Sequence, residues 1–171
     1  VLTSHHLPYR VIPGVGSLSA ATTGTGFLLT RREISRGFTV ITPWLAEGAR
    51  NSIKASVRER LSLVFYMAVS KTREIVDQLL EEGRSKDECA AMIYGAGTSQ
   101  QNILTGTLDT LDDLVRNCNT QLPGLLLVRD IVREDYKYVV SQSALQNRRI
   151  LITSSEELLQ NGCKAVLKYG G

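Results

Sequence analysis

Apolar positions in this chain fall mainly into short continuous runs separated by glycine, proline and charged residues. Residues 61–67 (LSLVFYM) and 89–94 (CAAMIY) are such runs, each of strand length. Continuous runs, unlike apolar–polar alternation, mark strands covered on both faces. Residues 38–42 (FTVIT) are short and rich in β-branched side chains, 102–108 suit a further strand, and 124–132 (GLLLVRDIV) the next. Between them the period changes. Residues 70–82 set Ile75, Val76, Leu79 and Leu80 on one helical face, with Gly83 as the stop. Leu108, Leu111, Leu114, Val115 and Cys118 mark a second amphipathic helix.

The two ends of the chain repeat a strand–helix theme. Residues 10–12 (RVI) read as a short strand, 13–16 (PGVG) as a tight loop, and the following small residues as a helix capped by Ser17. Residues 133–147 turn polar and charged, which reads as a linker. Residues 149–153 (RILIT) then read as a fresh strand, and 154–157 (SSEE) as a capping box opening a last helix. Residues 43–56 lack a period and read as a loop able to cover a site. This alternation of strands and helices predicts an α/β layer fold with a sandwiched sheet.

Composition narrows the class. The 171 residues, 43% hydrophobic, suit one full domain with a piece of a second. Twenty basic against 17 acidic residues leave +3, dispersed along the chain, and only 6% of residues are aromatic, which argues against nucleic acid. No run is long enough to cross a membrane, and no signal-peptide pattern is visible. Cys89, Cys118 and Cys163 are odd in number and widely spaced, as in a reducing compartment such as the cytoplasm. They match no metal-ligand spacing, and His5 and His6 read as a solvated pair.

Three loops follow strands at residues 14–17, 67–68 and 95–98, where ligands gather in α/β sheets. Gly14, Gly16 and Ser19 partly satisfy a dinucleotide fingerprint, a match that a plain strand–helix turn explains equally well. The opening of that helix offers free N–H groups to polar ligand atoms. The only histidines are His5 and His6, so no Ser-His-Asp set assembles, and no GK[ST] phosphate loop exists. A hydrolase or a nucleotide triphosphatase is disfavoured. From residues alone, Met67 also suits core filling, Gly16 and Ala96 plain turns, and Arg32 a solvated charge beside Arg31 and Arg36.

The runs IPGVGS (12–17), LLTRR (28–32), LVFYMAVSKTREIVDQLLEEGRS (63–85), QQNILTGTL (100–108) and PGLLLVRDIV (123–132) together resemble the tetrapyrrole methylases, most closely the uroporphyrinogen-III C-methyltransferases. Residues 145–171 are similar, over a short stretch, to the opening of uroporphyrinogen-III synthase. The resemblance implies the C-terminal domain of a methylase, a mixed sheet flanked by helices. Its parts would be the last strand and helix of an N-terminal domain at 1–26, the C-terminal domain at 27–132, a linker at 133–147, and a further strand–helix unit from 148. It implies S-adenosylmethionine as cofactor, a polycarboxylate tetrapyrrole as substrate, and a homodimer. By position, Gly16, Ser17, Tyr66, Met67, Ala96, Pro123 and Gly124 match cofactor-binding residues, and Arg32 an arginine facing substrate carboxylates. No catalytic acid or base is carried over. The family's G-x-G-P-G and G-G-D-P motifs have no counterpart and would precede Val1, so the chain is expected to be a part with little cofactor affinity of its own. Three positions depart from the pattern: Gly16 for Thr or Ser, Arg31 for His, and Arg129 for Gly. A loop histidine expected near Pro43 and Trp44 is also missing. The expected reaction of the whole enzyme is methylation of uroporphyrinogen III to precorrin-2. Another precorrin methylase, or a non-catalytic dimerisation domain, stays open.

Overall fold

The computed structural model describes residues 1–43, 61–133, 145 and 148–169. The loop predicted from residue 44 onward, and all of the predicted linker except Arg133 and Leu145, lie outside these residues. Five strands form one mixed sheet: β1 (Phe38–Ile41), β2 (Ser62–Phe65), β3 (Cys89–Tyr94), β4 (Asn102–Thr107) and β5 (Gly124–Val128). Their order is β1-β2-β5-β3-β4, with β1 and β2 parallel and every other pair antiparallel. The α/β reading holds.

The continuous apolar runs are explained by what covers the sheet. Along β3, Ala90, Met92 and Tyr94 face one way and Ala91 and Ile93 the other, and all are buried. Along β5, Leu126 and Val128 oppose Leu125 and Leu127 in the same manner. Side chains alternate with a period of two, so a strand with both faces covered shows no polar positions. One face packs on α2 (Thr72–Glu81) and α3 (Leu111–Arg116) through Ile75, Val76, Leu79 and Leu111. The other receives Ala21 of α1 (Ser17–Thr23), Phe27, Ile131 and Val132. Burying each large side chain contributes about 1.5–3 kcal/mol. Gly83 ends α2 with φ +93, the conformation that favours glycine there.

Several local expectations fail for identifiable reasons. Residues 10–12 are not a strand: Val11 and Ile12 are 77% and 78% exposed, with no ladder partner among the described residues. Residues 149–153 are not a strand either, and Leu151 is 89% exposed. Periodicity alone cannot supply a neighbour to pair with. Gly16, not Ser17, is the N-cap of α1, and Ser17 is the first helical residue. Ser155, not Ser154, caps α4 (Glu156–Lys168), without a side-chain cap bond. The last β-strand stops at Val128 rather than 132 because Arg129 turns out of line at φ 145, leading into a 3-10 turn (Asp130–Val132). The second amphipathic helix spans six residues only, since Thr107 N–H donates to Thr110 Oγ1 and bends the chain ahead of it.

Candidate functional site

Strand β5 runs antiparallel to both β2 and β3, so its beginning meets their ends. Leu126 pairs with Phe65 and Met92, and Gly124 with Tyr94. The turns after β2 and β3 and the entry to β5 therefore share one end of the sheet. A cavity of about 480 Å³ opens there, lined by Ser17, Tyr66, Met67, Ala96, Pro123 and Gly124, with Val69, Ser70, Gly95, Thr98 and Leu125 completing the wall. Six of the seven residues matched to cofactor binding line this cavity. The seventh, Gly16, immediately precedes Ser17, and a Cβ placed on it would meet nothing within 4 Å.

Each wall residue has a local cause. Met67 follows β2 in a left-handed backbone, φ 52, and is 68% exposed, so it is not a core residue. A non-glycine residue there carries a conformational cost of about 1–2 kcal/mol. Gly95 (φ 53) turns the chain out of β3, its N–H donating to Pro123 O at 3.0 Å, and Thr98 Oγ1 donates to Gly95 O at 2.7 Å. Gly124 has no spare room: a Cβ would stand 2.9 Å from Val69 Cγ2 and 3.1 Å from both Met92 Sδ and Tyr94 Cδ1. Gly97 lets α1 approach, a Cβ there lying 3.1 Å from Ala20 Cβ. Among the described residues the lining offers apolar surface, the hydroxyls of Ser17, Ser70 and Thr98, the phenol of Tyr66 and backbone groups, with no carboxylate, histidine or cation. Such a wall can bind and orient, but it holds no general acid or base other than a phenol. Gly95 and Thr98 belong to the loop at 95–98 that the sequence offered as a ligand loop, whereas Val69, Ser70 and Leu125 were missed by sequence reading. Their signal was adjacency to the matched positions.

Arg32 is not in this cavity. It lines a second depression, of about 590 Å³, with Thr30, Arg31, Glu33, Ile34, Ser35, Arg36 and Arg129. Five residue steps along β5, about 16 Å, separate Gly124 from Arg129. The cationic turn is closed by Arg31 and Ser35, which exchange two backbone hydrogen bonds of 2.9 Å, with Glu33 left-handed between them at φ 68. Ser35 Oγ donates to Gly37 O at 2.7 Å and accepts from Ser62 N–H at 3.0 Å, fixing the turn to the start of β2. Arg129 reaches it from β5, Nη2 and Nε donating to Ile34 O at 2.9 and 3.3 Å.

The family profile of the Tetrapyrrole (Corrin/Porphyrin) Methylases matches residues 1–112. This chain belongs to that family. A siroheme synthase of Psychrobacter cryohalolentis is 33% identical over 132 residues, covering 77% of this chain and 25% of that protein. A siroheme synthase of Sodalis glossinidius is 36% identical over 127 residues, covering 74% and 26%. Among solved structures, uroporphyrin-III C-methyl transferase of Thermus thermophilus, complexed with S-adenyl homocysteine, superposes with a TM-score of 0.64 at 27% identity. That match covers 77% of this chain and 57% of the Thermus enzyme. This methylase chain thus spans about a quarter of the length of the curated relatives it matches. Among the described residues no cluster of His, Cys, Asp or Glu could hold a metal ion, and no helix is long and apolar enough to cross a membrane.

Proposed function

We propose that this chain supplies one wall of the S-adenosylmethionine pocket of a uroporphyrinogen-III C-methyltransferase, which converts its substrate to precorrin-2. The observation that carries the reading is the convergence of Ser17, Tyr66, Met67, Ala96, Pro123 and Gly124 on one cavity. The fit is chemical as well as positional. An adenosyl group requires an apolar slot of several hundred Å³ with a few hydroxyl and backbone partners, and this lining has that character. Small residues at Gly95, Ala96 and Gly124 leave backbone accessible beside it. Bound there, the cofactor would supply an electrophilic methyl group on sulfur. The chain's own part is positional: Met67, held out of the core by its left-handed backbone, covers the ligand and excludes water, and holding methyl and carbon close and in line supplies much of the rate.

Arg32, on the cationic turn, is read as a partner for substrate carboxylates. A polycarboxylate macrocycle carries acid groups around its periphery, so binding energy from a turn distant from the methyl group can still serve the reaction. The exposed Leu158 and Leu167 of α4 support reading residues 148–171 as a separate unit beyond the methylase domain at 27–132. A cytoplasmic homodimer is part of the same proposal. The test is incorporation of a radiolabelled methyl group from S-adenosylmethionine into uroporphyrinogen III by the polypeptide that carries this chain in its cell. Transfer to uroporphyrinogen III supports the reading, and transfer only to later precorrins refutes it.

A further inference from the structure

Arg129 occupies a backbone region, φ 145 and ψ 166, that is essentially reserved for glycine. Two contacts and the burial of the residues that follow hold it there. Its N–H donates to Cys89 O at 2.9 Å, its guanidinium bonds Ile34 O through Nε and Nη2, and the following Ile131 and Val132 are each only 2% exposed. Nη1 lies 3.5 Å from Glu88 Oε1, and the same oxygen accepts from Arg84, whose Nη2 donates to Leu61 O at 2.8 Å. The side chains of Arg84, Glu88 and Arg129 are 4%, 10% and 18% exposed, so this chain of charges is largely shielded from water. It ends on the carbonyl of Ile34, inside the turn that presents Arg31, Arg32 and Arg36 around the second depression.

We propose that Arg129 is a positioning residue that holds the Arg31–Arg36 turn in the shape that grips a carboxylate edge of a polyanionic substrate. The proposal rests on reading the chain as part of a polycarboxylate-tetrapyrrole methylase. A turn carrying three arginines against a single acid, Glu33, repels itself, and Ser35 ties only its C-terminal end to β2. The fork from Arg129 to Ile34 O adds a second tether, from the end of β5, and Glu88, already paired with Arg84, offsets part of the positive charge that Arg129 brings. A strained arginine where glycine would sit without cost is consistent with a side chain retained for what it does.

The test uses benzenehexacarboxylate as the probe, titrated against the protein at fixed ionic strength and followed by two-dimensional NMR, with S-adenosylhomocysteine titrated separately. Amides of residues 31–36 are expected to shift with benzenehexacarboxylate, and affinity is expected to fall roughly tenfold in Arg129→Gly, the scale of losing charge-assisted hydrogen bonds. S-adenosylhomocysteine binding should be unchanged. Hydrogen exchange at Ser35 N–H, bonded to Arg31 O, should accelerate in the variant. Arg129→Lys keeps the charge but not the fork, and is expected to restore less than half of the lost affinity. Full rescue by lysine would reduce Arg129 to a simple charge and overturn the proposal. So would unchanged affinity in Arg129→Gly, or equal loss of both ligands with a lowered melting temperature. Tighter binding of inorganic pyrophosphate than of benzenehexacarboxylate overturns the carboxylate assignment. If benzenehexacarboxylate fails while S-adenosylhomocysteine binds, this proposal falls and the cofactor reading stands.

Discussion

Met67→Gly separates a ligand-binding role from a structural one. Methionine at φ 52 costs about 1–2 kcal/mol that glycine does not incur. Against this gain, glycine loses about 0.5–1 kcal/mol of chain entropy on folding. The buried third of the side chain, which is 68% exposed overall, contributes about 0.5–1 kcal/mol more. These terms nearly cancel, so stability should change by less than about 1 kcal/mol, a melting shift within about 4 °C for a domain of this size. Ligand binding is affected differently. If Met67 lies over an adenosyl group, its exposed two-thirds becomes buried on binding, worth about 1–2 kcal/mol. Its removal should weaken S-adenosylhomocysteine by about 5- to 30-fold. Calorimetric titration alongside thermal melting reads both quantities on one sample. A melting temperature lowered by more than about 8 °C would make Met67 a structural residue. Affinity within twofold of the parent would mean that the cavity is not the adenosyl slot.

Arg32→Ala should raise the apparent KM for the tetrapyrrole while leaving S-adenosylmethionine binding nearly intact, as steady-state kinetics with each ligand varied would show; equal loss of both would make it structural. Gly124→Val places carbon 2.9 Å from Val69 Cγ2 and 3.1 Å from Met92 Sδ, and should destabilise by about 1–3 kcal/mol in urea unfolding while blocking the cavity. Burial first, and then Asp130 beside it, push the Cys89 thiol above its ordinary range. Exposed Cys163 should therefore react with a disulfide reagent well before Cys89 at pH 8. Because the native state holds that proton more tightly than the unfolded chain, the contribution to stability is full below the unfolded thiol's pKa and declines as pH rises through the native one. Urea unfolding should show a decline at alkaline pH that is reduced in Cys89→Ala.

The buried strands were legible because each carries its own evidence. The runs at 61–67 and 89–94 became β2 and β3 as sandwiched strands, and their unbroken apolar character follows from helices or turns on both faces. The false strands at 10–12 and 149–153 have the same local composition but no ladder partner among the described residues, and pairing is a non-local property. The cofactor-matched residues were found through a resemblance of motifs. Their convergence follows from the antiparallel course of β5, which brings residue 124 beside residue 94 and was invisible in the chain order. The same topology carried Arg32 to the far end of β5, where it lines a depression with Arg129 rather than with Met67. The bond from Arg129 to Ile34 O, in the turn that carries Arg32, spans 95 positions of sequence, and no periodicity signals it.

The end of the sheet formed by the turns after β2 and β3 is proposed here as an adenosyl-binding wall. Two-dimensional NMR of the protein titrated with S-adenosylhomocysteine to millimolar concentration tests it most directly, because the method registers weak binding residue by residue. The expected result is saturable shifts clustered on Ser17, Tyr66, Met67, Ala96 and Gly124, with the amides of residues 31–36 unmoved. An absence of shifts at those positions, or shifts confined to the arginine turn, would mean that this end of the sheet does not bind the adenosyl group.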